Sequence, residues 1–328
     1  MTEPRIAGTD GAASRIAGAG DAASRIAVAG NINADITCRL PRPPLPGETL
    51  LAEELELGPG GKAANAAVAL ARLGAQPLLI GSVGEDPLGS LVLAALEREG
   101  VASGRIVRHA DALTGVASVF VASHGENAIV THLGANLSMS AQELPDLEGC
   151  GALLMTLGLP RGVLLALVAR ARAVGARIVL DATPLRDLPL PAELLAVDVL
   201  SANRVEAEQL IGRAIESLDG DDVRSACAEL CALGARSAVL KLGKEGAAWI
   251  EGSRQGHVAA PEVEVVDSTG AGDAFMAALT LRLVAGASLP AAVEFACLVG
   301  ALSTTGSGAQ GGWATPADVR RFAAAVGP

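Results

Sequence analysis

The chain has 328 residues, with 25 Lys and Arg against 36 Asp and Glu, for a formal charge of −11. Half of it is hydrophobic, yet aromatic residues make up only 2%. That composition allows one large α/β domain or two smaller ones and excludes a disordered or collagen-like chain. The acidic balance argues against non-specific binding to nucleic acid or to an anionic membrane, while leaving room for a locally electropositive site for a small anion.

The first thirty residues repeat with a period of ten, as Arg5-Ile6-Ala7-Gly8, Arg15-Ile16-Ala17-Gly18 and Arg25-Ile26-Ala27-Val28. The third copy runs into a complete first strand. Residues 1–24 are therefore expected to be a duplicated, functionally idle extension, and residues 25–328 the folded domain. Strands are expected at 26–29, 78–81, 153–157, 177–181, 197–201 and 238–242. Helices are expected at 64–73, 88–99, 162–174, 204–211, 222–233, 274–285, 290–303 and 316–325. Thr315 before Pro316, with Asp318 in the first turn, is a sound cap for the last helix. This alternation predicts an α/β fold with a mostly parallel central sheet and helices on both faces.

Two stretches break the rhythm. Residues 35–57, and 115–122 with 127–132, read as strands without helices between them, the second pair joined through Gly125 in a hairpin connection. A small antiparallel sheet inserted there, spanning about 35–57 and 113–132, would form a lid over a site.

No apolar run is long enough to cross a membrane, and the N-terminus lacks the apolar core of a signal peptide, so a cytoplasmic location is expected. Five scattered cysteines (38, 150, 227, 231 and 297) read as free thiols, and the four histidines (109, 124, 132 and 257) show no metal-ligand spacing. The chain has no P-loop, because Gly61-Lys62 is followed by Ala63 instead of a hydroxyl residue.

The strongest local signal is Asp267-Ser268-Thr269-Gly270-Ala271-Gly272-Asp273, which follows an apolar stretch and opens a helix. Small residues at 270–272 let backbone N–H groups converge at the helix N-terminus, where the dipole favours an anion. Asp273 in the first turn is a poor phosphate ligand, because like charges repel, but it is well placed to take a proton from an attacking hydroxyl. A Gly-rich turn followed by a helix-stabilising Asp reads the same pattern without any chemistry, and spacing alone does not choose between them. A second Gly-rich turn, Gly58-Pro59-Gly60-Gly61-Lys62-Ala63-Ala64-Asn65, also leads into a helix. Upstream, Asn33 and Asp35 stand two apart and can face one side. Such a set of amide, carboxylate and ammonium groups suits a polyhydroxylated ligand, although Asx turns and a solvated Lys62 would account for the same residues.

Taken in order, Asn31-Ile32-Asn33-Ala34-Asp35, Pro46-Gly47-Glu48-Thr49, Gly60-Gly61-Lys62-x-x-Asn65, Gly125-Glu126-Asn127, His132-x-Gly134-Ala135-Asn136, Asn203-x-x-Glu206 and Asp267 to Asp273 resemble the ribokinase-like (PfkB-type) carbohydrate kinase family over residues 25–328. The resemblance implies transfer of the γ-phosphate of ATP to a sugar primary hydroxyl, with ribose to ribose 5-phosphate as the leading reaction and another pentose, another sugar or a nucleoside as the alternative. Asp273 would be the general base, and Gly270, Ala271 and Gly272 the anion hole. Asn33, Asp35, Gly61, Lys62 and Asn65 would bind the sugar. Asn203 and Glu206 would place Mg²⁺ and phosphate through water, while Lys241 and Gly243 would line the nucleotide pocket. A K⁺ loop would involve Asp267, Thr269, Ser303, Gly306 and Gly308, and the lid would make a homodimer contact. Two positions depart from the family pattern. Gly158 stands where a sugar-contacting Glu is usual, which is expected to leave open space and one hydroxyl without a partner. Gly312 stands where a Ser usually completes the cation loop.

Overall fold

The computed structural model describes residues 25–122, 127–218, 220–306, 308 and 310–326. The duplicated extension at 1–24 and the hairpin connection at 123–126 lie outside the described residues.

Strands β1 (Arg25–Ala29), β4 (Gln76–Ile80), β9 (Cys150–Thr156), β10 (Arg177–Asp181), β11 (Val199–Asn203), β12 (Ser237–Lys241), β13 (Ala247–Glu251) and β14 (Arg254–Val258) build one eight-stranded sheet. Its order is β14-β13-β12-β11-β10-β9-β1-β4, parallel from β4 to β12 and antiparallel for the last two strands. The β13–β14 hairpin escapes the sequence reading because its second strand, Arg-Gln-Gly-His-Val, is short and mostly polar.

Successive strand residues point to opposite faces, and two hydrophobic layers follow from that period. Ile26, Val28, Leu79, Leu154 and Val239 pack against one helical layer, whereas Ala27, Ala29, Leu78, Leu153 and Leu240 face the other. The first layer contains α1 (Lys62–Arg72), α2 (Pro87–Arg98), α7 (Ala271–Val284), α8 (Leu289–Ser303) and α9 (Pro316–Val326). The second contains α3 (Arg161–Ala173), α4 (Ala192–Leu195), α5 (Arg204–Ile211) and α6 (Gly220–Ala232). In α1, Ala63, Ala64, Ala66, Ala67 and Ala69 are all buried, and this run of methyl groups lets the helix approach its neighbours closely. Arg204–Ile211 coincides with the expected helix, and the others agree to within a few residues. Among the described residues, no helix is long and apolar enough to cross a membrane.

A second, separate sheet stands where the lid is expected: β2 (Asn33–Leu40), β3 (Glu54–Gly60), β7 (Gly115–Ala122) and β8 (Asn127–His132), in the order β3-β2-β7-β8. It is mixed instead of antiparallel, because β2 runs parallel to β7 in register Asn33 to Gly115. A short parallel pair, β5 (Ser82–Gly84) with β6 (Val107–His109), lies beside it. The base of the lid is tied down by Asp86. Its Oδ1 accepts from Gly89 N at 2.8 Å to cap α2, and its Oδ2 accepts from Thr114 N at 2.7 Å. Loss of such a cap costs about 0.5–2 kcal/mol.

Candidate active site

The sheet reverses its winding at β1, with β9 on one side and β4 on the other. Open α/β sheets bind ligands in the crevice beyond the carboxyl ends of their strands at such a point. A cavity of about 360 Å³ lies there, bounded by Asn31, Asn33, Asp35, Lys62, Asn65 and Asp273. The lid contributes Ala117 and Val119 from β7 and Ile129 and Thr131 from β8. A larger cavity of about 470 Å³, between α6 and the β13–β14 hairpin, holds none of the sugar-set residues.

Two helices begin at this cavity, each with a glycine at its N-cap and no side-chain cap: α1 behind Gly61 (φ 88) and α7 behind Gly270 (φ 77). Both glycines adopt a left-handed backbone that other residues avoid. A Cβ on Gly61 would stand 2.5 Å from the carbonyl oxygen of Asn31. The first N–H groups of an α-helix have no intrahelical acceptor, so both ends present donors and positive dipole ends. One expected donor is engaged, since Ala271 N donates to Ser268 O at 3.2 Å.

Asp273 is 4% exposed in the first turn of α7. Asn65 Nδ2 donates to its Oδ2 at 2.8 Å, and Lys62 Nζ lies 3.7 Å from its Oδ1. Gln310 Nε2 donates to Asn65 Oδ1 at 3.2 Å, which orients the Asn65 amide. Lys62 is thus paired, not merely solvated. Asp273 above all, and also Asp181 and Glu206, raise its pKa against the opposing effect of burial. Asp35 lies across the cavity with its carboxyl against Gly60, where a Cβ would stand 2.0 Å from Asp35 Cγ. Burial, reinforced by repulsion from Asp273 and opposed by Lys62, lifts the pKa of Asp35 to about 7. Among the described residues, its Oδ1 has no hydrogen-bond partner. Asn33 Oδ1 accepts from Asn136 Nδ2 at 3.1 Å, and Asn136 also clamps Ile32 through N–H and carbonyl bonds of 2.8 and 3.0 Å.

A second group of polar residues stands at strand ends. Lys241 Nζ donates to Asp181 Oδ1 at 2.5 Å and lies 3.9 Å from where a Cβ on Gly272 would stand. Asn203 and Glu206 form a reciprocal capping box at the start of α5: Glu206 N donates to Asn203 Oδ1 at 2.9 Å, and Asn203 N to Glu206 Oε2 at 2.8 Å. A smaller cleft of about 230 Å³ joins Asn203, Lys241 and Gly243. The sequence reading missed Asp181, although its place at the carboxyl end of β10 is the available signal. It also missed Arg186 on the cavity wall, for which the sequence carries no signal.

Asp267 bridges two loops, its Oδ1 accepting from Thr269 N at 2.9 Å and its Oδ2 from Gly308 N at 3.0 Å. The expected cation residues are therefore drawn together, with Ser303 Oγ donating back to Gly300 O at 2.7 Å. Gly312 is a tight crossing and does not simply lack an oxygen, because a Cβ there would stand 2.0 Å from Ser303 O. Gly158 corrects a second expectation. The space beside it is filled by Asn31, whose Cβ, Oδ1 and Cγ lie 2.7, 2.8 and 2.9 Å from a Cβ built on Gly158. Among the described residues, no cluster of three or more His, Cys, Asp or Glu is arranged to hold a metal.

Residues 23–316 match the profile described as pfkB family carbohydrate kinase. The chain belongs to this family and is a carbohydrate kinase. It is 30% identical over 272 residues to the deoxyribokinase of Salmonella typhi, covering 81% of this chain and 88% of that protein. It is 32% identical over 298 residues to the ribokinase of Haemophilus influenzae, covering 89% and 96%. Among solved structures, Arabidopsis thaliana ribokinase complexed with ribose and ATP superposes with a TM-score of 0.83 at 31% identity, covering 92% of this chain and 99% of that one.

Proposed function

We propose that the protein transfers the γ-phosphate of ATP to the primary hydroxyl of ribose, giving ribose 5-phosphate and ADP. The observation that carries this reading is Asp273, a buried carboxylate clamped by Lys62 and Asn65 at the mouth of an uncapped helix and open towards the cavity. The sugar lies between Asn33, Asp35, Gly61, Lys62 and Asn65 under the lid. Asp273 takes the proton of the primary hydroxyl as its oxygen attacks the γ-phosphorus, and the bond from phosphorus to the bridging oxygen of ADP breaks. The 270–272 turn and the N-terminus of α7 stabilise the charge on the phosphoryl oxygens. Lys241, held by Asp181 beside Gly272, adds a positive charge on the same side.

Mg²⁺ would neutralise charge on the nucleotide phosphates, with Asn203 and Glu206 placing it through water. The capping box leaves Glu206 Oε1 and Asn203 Nδ2 without a role in the cap, and the field of Glu206 reaches Lys62. For K⁺, Asp267, Thr269, Ser303, Gly306 and Gly308 supply oxygen donors only, the ligand chemistry a hard cation takes. The exposed Leu55, Leu57 and Val130, which share the face of the lid sheet turned away from the cavity, support a homodimer through that sheet.

The similarity to a deoxyribokinase favours a second reading, in which a deoxypentose is phosphorylated alongside or ahead of ribose. An ADP-release assay over pentoses, deoxypentoses, hexoses and nucleosides tests both. Ribose is expected at or near the top of the kcat/KM order, and a clear preference for a nucleoside or hexose would overturn the assignment.

A further inference from the structure

Asn31 lies in the switch-point crevice, directly after β1 and opposite the loop that follows β9. It is 4% exposed and lines the cavity, yet its Oδ1 has no hydrogen-bond partner among the described residues. Glycine flanks it on both sides. Its carbonyl lies against Gly61, and its side chain covers Gly158, both too close to admit a Cβ on either glycine. A buried acceptor without a partner is a standing cost that an incoming hydroxyl removes. The side chain is therefore packed in place on the cavity wall, its amide oxygen lying against Gly158.

We infer that Asn31 is a specificity-determining residue of the sugar subsite, its amide oxygen accepting a hydrogen bond from a sugar hydroxyl beside Gly158. The inference rests on the sugar-kinase reading above. A neutral acceptor discriminates less than a charged one, so a pentose carrying that hydroxyl is favoured over its deoxy analogue by roughly 2- to 12-fold. The substrate class that follows is pentoses with and without that hydroxyl.

The test is calorimetric binding of ribose, 2-deoxyribose and 3-deoxyribose to the full chain without nucleotide, for wild type and Asn31→Ala. Unliganded melting temperatures are measured in parallel. The variant is expected to weaken ribose by roughly 2- to 12-fold and one of the two deoxy sugars by less than about twofold, so that their affinity ratio collapses towards one. The melting temperature should not fall, because the substitution removes an unpaired buried group. An equal loss on all three sugars, or a lower melting temperature with the ratio kept, overturns the inference. Asn31→Ser, which retracts the acceptor, must also collapse the ratio, and it decides the matter if the alanine variant does not fold. Wild type that neither binds nor phosphorylates any pentose overturns the sugar assignment itself. That outcome is distinct from retained ribose binding with an unmoved ratio.

Discussion

Asn65 Nδ2 and Asp273 Oδ2 are 2.8 Å apart although 208 positions separate them in sequence. That one bond joins the first turns of α1 and α7, both of which begin at the same cavity. Because Gln310 fixes the Asn65 amide and Lys62 flanks the other carboxylate oxygen, Asp273 has a defined orientation before any ligand arrives. Preorganisation of this kind is what a general base requires, since a misplaced carboxylate loses the near-attack geometry.

Asp273→Asn is expected to lower kcat by about 10²- to 10⁴-fold, the usual worth of a general base. The amide keeps the shape and can still accept from Asn65, but it then turns an N–H group towards the Lys62 ammonium. Sugar affinity, measured by calorimetry, should change far less than turnover. Near-normal kcat in the variant would remove Asp273 from the mechanism.

Asp35 makes the site sensitive to pH. With its pKa lifted to about 7 from the ordinary 3.8, the folded chain holds a proton on this group where the unfolded chain has released it. Its contribution to stability is therefore full below the unfolded value and is lost as pH rises through about 7. Sugar hydroxyls that donate to Asp35 favour the ionised form, so kcat/KM for the sugar should rise across the same pH range. Asp35→Asn should flatten both profiles. A wild-type profile flat from about pH 6 to 8, or an inflection that survives in the variant, would contradict this assignment.

Much of this site was legible in sequence because glycine announces it. Gly61 and Gly270 take positive φ at the two helix starts, and Asp273 and Lys62 follow at fixed offsets. What stayed hidden lies between segments distant in the chain. Lys241 was legible as a strand-end residue, but its partner Asp181 stands 60 positions away. The space at Gly158 was misread because its occupant, Asn31, arrives from the turn after β1, far away in sequence. The apolar stretch before Asp267 forms no strand, and its Val265 and Val266 are 59% and 61% exposed. Local alternation does not say whether a partner strand exists to bury it.

The Asp181–Lys241 pair separates structure from chemistry. Asp181 is almost fully buried, and its removal leaves a mostly buried ammonium without a counter-charge. Asp181→Ala is expected to cost about 3–5 kcal/mol of stability, read from chemical denaturation. A double variant with Leu at 181 and Met at 241 should recover most of that loss, because apolar replacements of a buried pair are often neutral. Turnover should nevertheless stay low in the double variant, since the positive charge beside Gly272 is gone. Recovery of activity together with stability would show the pair to be structural only.

Activity is expected to require Mg²⁺ and to rise when K⁺ replaces Na⁺ at matched ionic strength. Asp267 already ties the 267–269 turn to Gly308, so a cation there would stiffen a loop that is partly fixed by its own hydrogen bonds. Asp267→Ala should therefore lower activity in both salts and abolish any difference between them. A K⁺ effect undiminished in that variant would place the cation elsewhere.

Gly158→Glu decides whether this position can host a carboxylate for the sugar. Gly158 is not among the residues with positive φ, so its backbone conformation does not forbid a side chain. The obstacle is Asn31, and it includes the Asn31 Cβ at 2.7 Å, which rotation of the side chain cannot move away. Any residue larger than glycine must therefore shift the backbone on one side of the crevice. Gly158→Ala alone should weaken ribose binding and lower the melting temperature, with no new polar group to blame. Gly158→Glu should do the same and fail to sharpen the preference for ribose over a deoxy analogue. Combining it with Asn31→Gly removes the Cβ and frees the space. The new carboxylate can then accept from the hydroxyl, a charged hydrogen bond worth about 1.5–3 kcal/mol, or roughly 10- to 150-fold in affinity. The comparison is kcat/KM for ribose and for 2-deoxyribose in the single and double variants. If the single Gly158→Glu variant folds normally and already sharpens the ratio, Asn31 does not occupy the place this structure gives it.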